Sequence, residues 1–433
     1  MNFKSQFLQE LSWRGFISQI THLEELDQIL AKEKITAYVG FDCTAKSLHA
    51  GSLIQIMMLR IMQKYGHKPI ALLGGGTTKI GDPTGKDEAR KILSDEEINQ
   101  NLTGIKNTLS KFITFDSAIN AAIMVNNNDW LAKLNYIDFL RDIGRYFSIN
   151  RMMSFDSVKL RLEREQNLSF LEFNYMILQA YDFYILNQKY NCVLQFGGSD
   201  QWGNIVNGVE LIRRLKASDE QKNSTRACGQ YFDQAFGQAF GLTSILITTA
   251  DGKKMGKTTN GAVWLDDEML SPYDYFQYFR NIADADVEKF LKLFTDLESD
   301  EISKLASLKD QEINKAKEIL AFEVTKICHG DKKAELALQK AREIFVSKSN
   351  EAYEIKEIML DSSQLEGGVR LADIIFLTNS APSKSEAKKL IKAGAIKIDG
   401  QKVIDEHFNI TNFKAFDLAI GKKRFFKIIL KNN

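Results

Sequence analysis

Tyr38-Val-Gly-Phe-Asp-Cys-Thr-Ala-Lys-Ser-Leu-His49-Ala-Gly-Ser52 decides the fold. An apolar run from Ile35 ends at Phe41, small residues follow, and apolar residues then recur at helical spacing through Ile54, Met57, Met58, Ile61 and Met62. This reads as buried strand, loop and helix, the helix beginning near Gly51. His49 and Gly51 sit at a helix N-terminus, where free N–H groups and the dipole favour anionic ligands.

Working outward, apolar runs alternate with amphipathic helices, the pattern of a parallel sheet with helical crossovers. Strands are expected at 35–41, 70–73, 121–125, 192–196 and 245–247. Ser94-Asp-Glu-Glu97 is a capping box opening a helix towards Ile113. Further helices are expected over 170–186 and 201–215, with a helical insertion at about 126–170. After Trp264 the chain is charged, poor in Gly and Pro, and helical in period to about residue 349. Asp361-Ser-Ser-Gln-Leu-Glu-Gly-Gly368 reads as a linker. The domains are therefore expected at 1–265, 266–355 and 369–433.

The composition suits a folded protein of two or three domains: 433 residues, 44% hydrophobic, 26% charged, net charge +1. No apolar run is long enough to span a bilayer, and no secretory signal is expected from the first residues. Cys43, Cys192, Cys228 and Cys328 are scattered, without metal-site spacing, and read as reduced thiols in a cytoplasmic protein. Charge is uneven: residues 370–433 hold 13 Lys+Arg against 6 Asp+Glu, a net of +7, leaving −6 on the rest. A basic C-terminal module fits either a polyanionic partner or a solvated lysine-rich surface.

Three loops carry chemistry. Gly74-Gly-Gly-Thr-Thr-Lys-Ile-Gly-Asp-Pro-Thr-Gly-Lys86 fails the P-loop pattern, because Asp87 follows Lys86. Its glycines serve a tight turn or a close ligand; Asp82 suits an ammonium, and Lys86 and Arg90 suit phosphate. In Phe196-Gly-Gly-Ser-Asp-Gln-Trp-Gly-Asn204, Asp200 fits a vicinal diol or a helix cap. In Asp251-Gly-Lys-Lys-Met-Gly-Lys-Thr-Thr-Asn-Gly261, Lys254 and Lys257 fit a triphosphate or a surface hairpin.

Together these motifs resemble a known family. His49-Ala-Gly-Ser52 is similar to the His-x-Gly-His motif of class I aminoacyl-tRNA synthetases, and Lys254-Met-Gly-Lys-Thr258 to their Lys-Met-Ser-Lys-Ser loop. Tyr38-Val-Gly-Phe-Asp, Gly81-Asp-Pro-Thr-Gly-Lys, Tyr175-Met-Ile-Leu-Gln-Ala-Tyr-Asp182 and Gly197-Gly-Ser-Asp-Gln-Trp-Gly-Asn204 resemble bacterial-type tyrosyl-tRNA synthetases, from about residue 30 to the C-terminus. The chain departs from the pattern at Ser52, Gly256 and Thr258.

The resemblance implies an α/β fold class: a Rossmann-type parallel-sheet catalytic domain, a helical anticodon-binding domain and a small α+β S4-like C-terminal domain. It also implies that the two signature motifs lie on opposite sides of the sheet, that Tyr38 and Asp182 bind a phenolic hydroxyl, and that Tyr175, Gln179, Asp82 and Gln201 hold the substrate ammonium. On a helix, Tyr175, Gln179 and Asp182 share one face at i, i+4, i+7. Thr44 and His49 would contact ATP phosphates, Gly51 adenine, Gly198 and Asp200 the ribose, and Asp42 the adenylate. Lys86, Arg90, Lys254, Lys257 and Thr258 would stabilise pyrophosphate, Lys257 also counting towards the ATP site.

Magnesium is expected with ATP and no protein-bound metal, with L-tyrosine, ATP and tRNA(Tyr) as partners. A homodimer through the 126–170 insertion is implied, and no membrane. Lys384, Lys388 and Lys392 recur at i, i+4, i+8 on an S4-like helix, a face suited to RNA phosphates. A tryptophan-specific relative is disfavoured by Tyr38 and Asp182, which address a hydroxyl that indole lacks. An RNA-binding protein on a synthetase scaffold is disfavoured by intact His49, Lys254 and Lys257.

Overall fold

The computed structural model describes residues 2–83, 93–116, 118–223, 238–249, 255–258, 261–350, 356–361, 368–378, 380–411, 415–421 and 424–431. Residues 1–339 form one compact unit and 340–433 a second.

In the first unit, the strands β1 (Ile17–Ile20), β2 (Thr36–Asp42), β3 (Lys68–Gly74), β4 (Ile123–Asn126), β5 (Cys192–Gly198) and β6 (Phe240–Ser244) form one sheet in the order β1-β6-β5-β2-β3-β4. Strands β2 to β6 are parallel, and β1 runs antiparallel along β6. Strands β5 and β6 are buried along their whole length, as a sheet covered on both faces requires. The chain fills β2-β3-β4 on one side and then returns to place β5 and β6 on the other. Strand order therefore reverses between β2 and β5, and a ligand crevice belongs at the carboxyl ends there.

The last parallel strand precedes the expected 245–247 run, where Leu246 is 45% exposed. Its Gly241, Thr243 and Ser244 hide it from an apolar reading, yet all are buried. The edge strand β1, Ile-Ser-Gln-Ile, was too short and polar to be expected.

The helices are α1 (Gln6–Arg14), α2 (Leu23–Lys32), α3 (Leu53–Lys64) and α4 (Asp95–Leu109), then α5 (Asn128–Leu131), α6 (Tyr136–Asp142), α7 (Ile149–Met153) and α8 (Asp156–Glu163) between β4 and the long α9 (Phe170–Tyr190). After α10 (Trp202–Asn223) and a two-residue pair β7 (Lys257–Thr258) and β8 (Gly261–Ala262) come α11 (Pro272–Arg280), α12 (Val287–Phe294), α13 (Ser299–Ala306), α14 (Ile313–His329) and α15 (Asp331–Asn350). Helix α4 opens on the expected capping box, and α9 on a second formed by Ser169 and Glu172. Among the described residues, no helix is long and apolar enough to cross a membrane.

The second unit holds β9 (Lys356–Asp361), β10 (Val369–Arg370), α16 (Leu371–Leu377), α17 (Lys384–Lys392), β11 (Ile396–Ile398), β12 (Gln401–Val403), β13 (Asn409–Ile410), β14 (Ala415–Ile420) and β15 (Arg424–Lys431). Its five-stranded sheet runs β12-β11-β14-β15-β9, with β9 parallel to β15. A strand lying before the linker thus completes this sheet. Leu371, Ile374, Ile391 and Ile396 of its core are fully buried.

Candidate active site

Parallel strands deliver their carboxyl ends to one edge, and a cavity of about 440 Å³ opens there. That volume is within the roughly 300–1,000 Å³ usual for small-molecule sites. Of the residues singled out from sequence, Tyr38, Asp42, Thr44, His49, Asp82, Tyr175, Gln179, Asp182, Gly198, Asp200 and Gln201 line it. Lys86, Arg90 and Lys254, like Cys228, lie outside the described residues, and Lys257 and Thr258 are placed as strand backbone. Ser52 lines the cavity. Gly51 does not line it, and a side chain there would sit 2.7 Å from His49 Cε1 and 3.2 Å from the Met255 carbonyl.

At one end of the cavity Asp182 is 2% exposed on α9. Trp130 Nε1 donates to its Oδ1 at 2.7 Å and Asn127 Nδ2 to its Oδ2 at 2.8 Å. Burial pushes this carboxyl up to about 7, against the pull of those two hydrogen bonds and with the charge of Asp42 adding to the rise. Tyr38, 1% exposed on β2, packs its ring 5.3 Å from that of Phe183. Its hydroxyl is buried with no hydrogen-bond partner among the described residues. Burial and the neighbouring Asp182 raise it well above the ordinary phenol range. A buried hydroxyl without a partner calls for an explanation, and a ligand's polar atom supplies one.

The network continues outward. Asn127 Oδ1 accepts from the Gly76 amide at 2.8 Å, and its Nδ2 donates to Thr77 Oγ1 at 3.0 Å. Thr77 Oγ1 donates to Asp42 Oδ1 at 2.9 Å, and the Tyr175 hydroxyl donates to Asp42 Oδ2 at 3.1 Å. Beside it Gln201 Nε2 donates to Asp82 Oδ2 at 2.8 Å, while Gln201 Oε1 accepts from Asn204 at 3.1 Å and from Gln179 at 3.4 Å. Sequence reasoning missed Asn127 and Trp130. They sit in the polar run Asn126-Asn-Asn-Asp-Trp130 after a strand, which carries no local sign of a carboxylate more than fifty residues on.

At the other end, the Gly51 amide donates to His49 Nδ1 at 3.0 Å. Because Nδ1 accepts, the ring proton sits on Nε2. The segment after the lysine-rich loop pairs directly with this turn: Ala50 N–H donates to Val263 O at 2.7 Å, and Leu265 N–H to Leu48 O at 3.0 Å. Trp264 stacks edge-on with His49, ring centres 6.1 Å apart. The two signature segments are thus neighbours rather than on opposite sides of the sheet. The loops after β2 and β6 leave at the same edge because both strands point that way. Among the described residues, no group of three or more His, Cys, Asp or Glu side chains forms a metal site.

Residues 30–346 match the family of class I tRNA synthetases for tryptophan and tyrosine (W and Y). The chain belongs to that family. Residues 369–411 of this class I synthetase match the S4 domain. It is 54% identical to the tyrosine–tRNA ligase of Wolbachia pipientis subsp. Culex pipiens over 99% of each chain, and 52% identical to that of Ehrlichia ruminantium (strain Gardel) over 100% of each. Among solved structures it resembles a C-terminally truncated mitochondrial tyrosyl-tRNA synthetase of Aspergillus nidulans, with a TM-score of 0.68 and 31% identity over 78% of this chain and 94% of that one.

The synthetase's departure at Gly256 has a structural reason. Its φ is +90°, and a side chain would meet the Gly51 amide nitrogen at 2.6 Å. Serine is thereby excluded from this close approach of the two signature segments. On α17 of the S4 unit, Lys384 pairs with Asp373 at 2.8 Å and Lys392 with Glu406 at 3.0 Å, so this lysine face is partly neutralised within the protein.

Proposed function

We infer that this synthetase is a tyrosine–tRNA ligase, forming tyrosyl-adenylate and pyrophosphate from L-tyrosine and ATP, then transferring tyrosine to the 3′ end of tRNA(Tyr). The observation that carries the reading is the buried pair at one end of the cavity, the Tyr38 hydroxyl, without a hydrogen-bond partner among the described residues, beside the Asp182 carboxylate. Tyr38 donates to the phenolic oxygen of the substrate, and the phenolic O–H donates to Asp182. Phenylalanine offers no polar atom to either group, and tryptophan, whose indole N–H only donates, would leave the Tyr38 hydroxyl buried without an acceptor, which is costly.

Asp82, held by Gln201, receives the ammonium with Tyr175 and Gln179. The tyrosine carboxylate oxygen attacks the α-phosphorus, the bond to the bridging oxygen breaks, and pyrophosphate leaves. A hydroxyl at the 3′ end of the tRNA then attacks the tyrosyl carbonyl and AMP leaves. No side chain acts as nucleophile, so the rate comes from positioning and charge stabilisation. His49 Nε2–H and Thr44 meet the phosphates, Gly198 and Asp200 the ribose, Gly51 the adenine side, and Asp42 the adenylate. Lys86, Arg90, Lys254, Lys257 and Thr258 gather on the leaving pyrophosphate. ATP enters as its magnesium complex, the metal belonging to the substrate. The basic S4 unit engages tRNA, with Lys384, Lys388 and Lys392 contributing, and RNA phosphates exchange with Asp373 and Glu406.

Two copies pair through the insertion, where Ile137 (67%), Ile149 (64%) and Phe170 (69%) are exposed together with Leu160 and Leu162. Buried thiols at Cys43, Cys192 and Cys328 suit the reducing cytoplasm.

ATP–pyrophosphate exchange on the purified protein tests the assignment. Exchange is expected with tyrosine and only background exchange with tryptophan or phenylalanine. Exchange driven by tryptophan would transfer the protein to the other branch of its family.

A further inference from the structure

Helix α4 carries a glycine in mid-helix, Gly104, where glycine costs about 1 kcal/mol relative to alanine. Its surroundings account for it. A methyl group at Gly104 would collide with the carbonyl oxygen of Lys46, so the helix backbone lies directly on the loop that leaves β2. Two further contacts join the same partners. Asn101 Nδ2 donates to the Cys43 carbonyl at 2.8 Å, and the Thr108 hydroxyl meets that of Ser47 at 3.2 Å. Two residues past the helix end, Lys111 Nζ donates to the Leu265 carbonyl at 3.0 Å and pairs with Asp267 at 3.6 Å.

Positions 101, 104 and 108 are spaced i, i+3, i+7, a single helical face, and Lys111 continues the stripe in the turn that follows α4. Three of them grip the loop that carries Thr44. The fourth grips the segment whose backbone pairs with Leu48–Ala50 and whose Trp264 lies against His49. Loop and segment are separated by more than two hundred residues of chain, and one rigid stripe holds both.

We propose that this stripe of α4 is a positioning rail for the nucleotide half of the site. Asn101, Gly104 and Thr108 set the height of the Thr44 loop, and Lys111 sets the segment that anchors the lysine-rich signature loop beside His49. None of the four lines the cavity. The inference rests on the reading of Thr44 and His49 as phosphate contacts. It adds that their placement is imposed by a helix whose own sequence carries no nucleotide motif. Displacement of catalytic geometry by about 1 Å costs on the order of 100-fold in rate, so a helix that fixes two segments at once has a large effect to exert.

The test uses the full-length protein carrying Gly104→Ala, Lys111→Met, Lys111→Arg or His49→Ala. Equilibrium tyrosine binding, pyrophosphate exchange across a range of ATP concentrations, and thermal melting are recorded for each. Gly104→Ala and Lys111→Met are expected to bind tyrosine within about twofold of the parent and to lose about tenfold or more in kcat/KM for ATP. Lys111→Arg should recover most of that loss. Should Gly104→Ala fail to fold, the Lys111 pair decides alone. Unchanged ATP kinetics in a folded Gly104→Ala or Lys111→Met protein would overturn the rail, as would an equal loss of tyrosine binding and ATP use. If His49→Ala loses exchange in that case, the nucleotide reading survives without the rail. If His49→Ala is also unaffected, the nucleotide reading itself falls, and the rail with it.

Discussion

Asp182 is held where a carboxylate is reluctant to ionise, and it must nevertheless accept a hydrogen bond from the substrate. Burial raises it to about 7, while Asn127 and Trp130 pull the other way. In the unfolded chain the same group titrates near about 4. Its stabilising contribution is therefore complete below that value and is lost as pH rises through about 7. Activity should run in the opposite sense. The profile of kcat/KM for tyrosine is expected to rise with pH and level off above about 7, with its midpoint moved upward in Asn127→Ala, which removes one of the two bonds favouring the charged form. A profile flat between pH 6 and 8 would refute the assignment. Loss of the Asp182 acceptor should cost about 10- to 100-fold in kcat/KM for tyrosine, the range for a hydrogen bond to a charged group.

Helix α9 shows how an element serves a site from a distance. Its working face is Tyr175, Gln179 and Asp182, but its register is set at Ser169, whose hydroxyl accepts from the Glu172 amide at 3.2 Å while Glu172 reaches back to the Ser169 amide at 3.1 Å. Glu172 is also paired with buried Arg161 at 3.0 Å. Ser169→Ala should destabilise the protein by about 1 kcal/mol, the usual cost of a lost cap. Glu172→Ala should cost about 3–5 kcal/mol, because it strands a buried guanidinium. Paired denaturation curves would separate the two. The capping box of α4, the helix α9 and the polar face of α9 were all legible, because each is written in consecutive residues. Strand β6 was not, since its small and polar residues are buried by tertiary cover alone. Asn127 and Trp130 were not, since their partner is reached only through the fold. The contact between Gly51 and Gly256 was equally hidden; the sequence marks a departure from the family pattern at 256, and only the fold gives its cause.

At the scale of the whole molecule, the apolar surface of the insertion predicts a dimer in solution. Light scattering should return twice the 49.2 kDa chain mass. Ile149→Glu combined with Phe170→Glu should shift the mass towards the monomer, whereas a parent protein that is already monomeric would remove the proposal. The division of labour is best tested by ending the chain after Asn350, because β9 belongs to the sheet of the second unit and a cut at 369 would leave it behind. Adenylate formation should persist in that truncation and tRNA charging should fall.

The parallel pairing of β9 with β15 has a consequence for biosynthesis. The strand Arg424–Lys431 lies between β14 and β9 in the sheet, yet it is made some sixty residues after β9. While the ribosome still encloses those residues, β9 waits unpaired and β14 lacks its neighbour, so the sheet closes only once β15 has emerged. The catalytic unit, whose six-stranded sheet is complete by Ser244, is free to fold long before. A nascent chain would therefore have its amino-acid pocket assembled before its S4 sheet has closed.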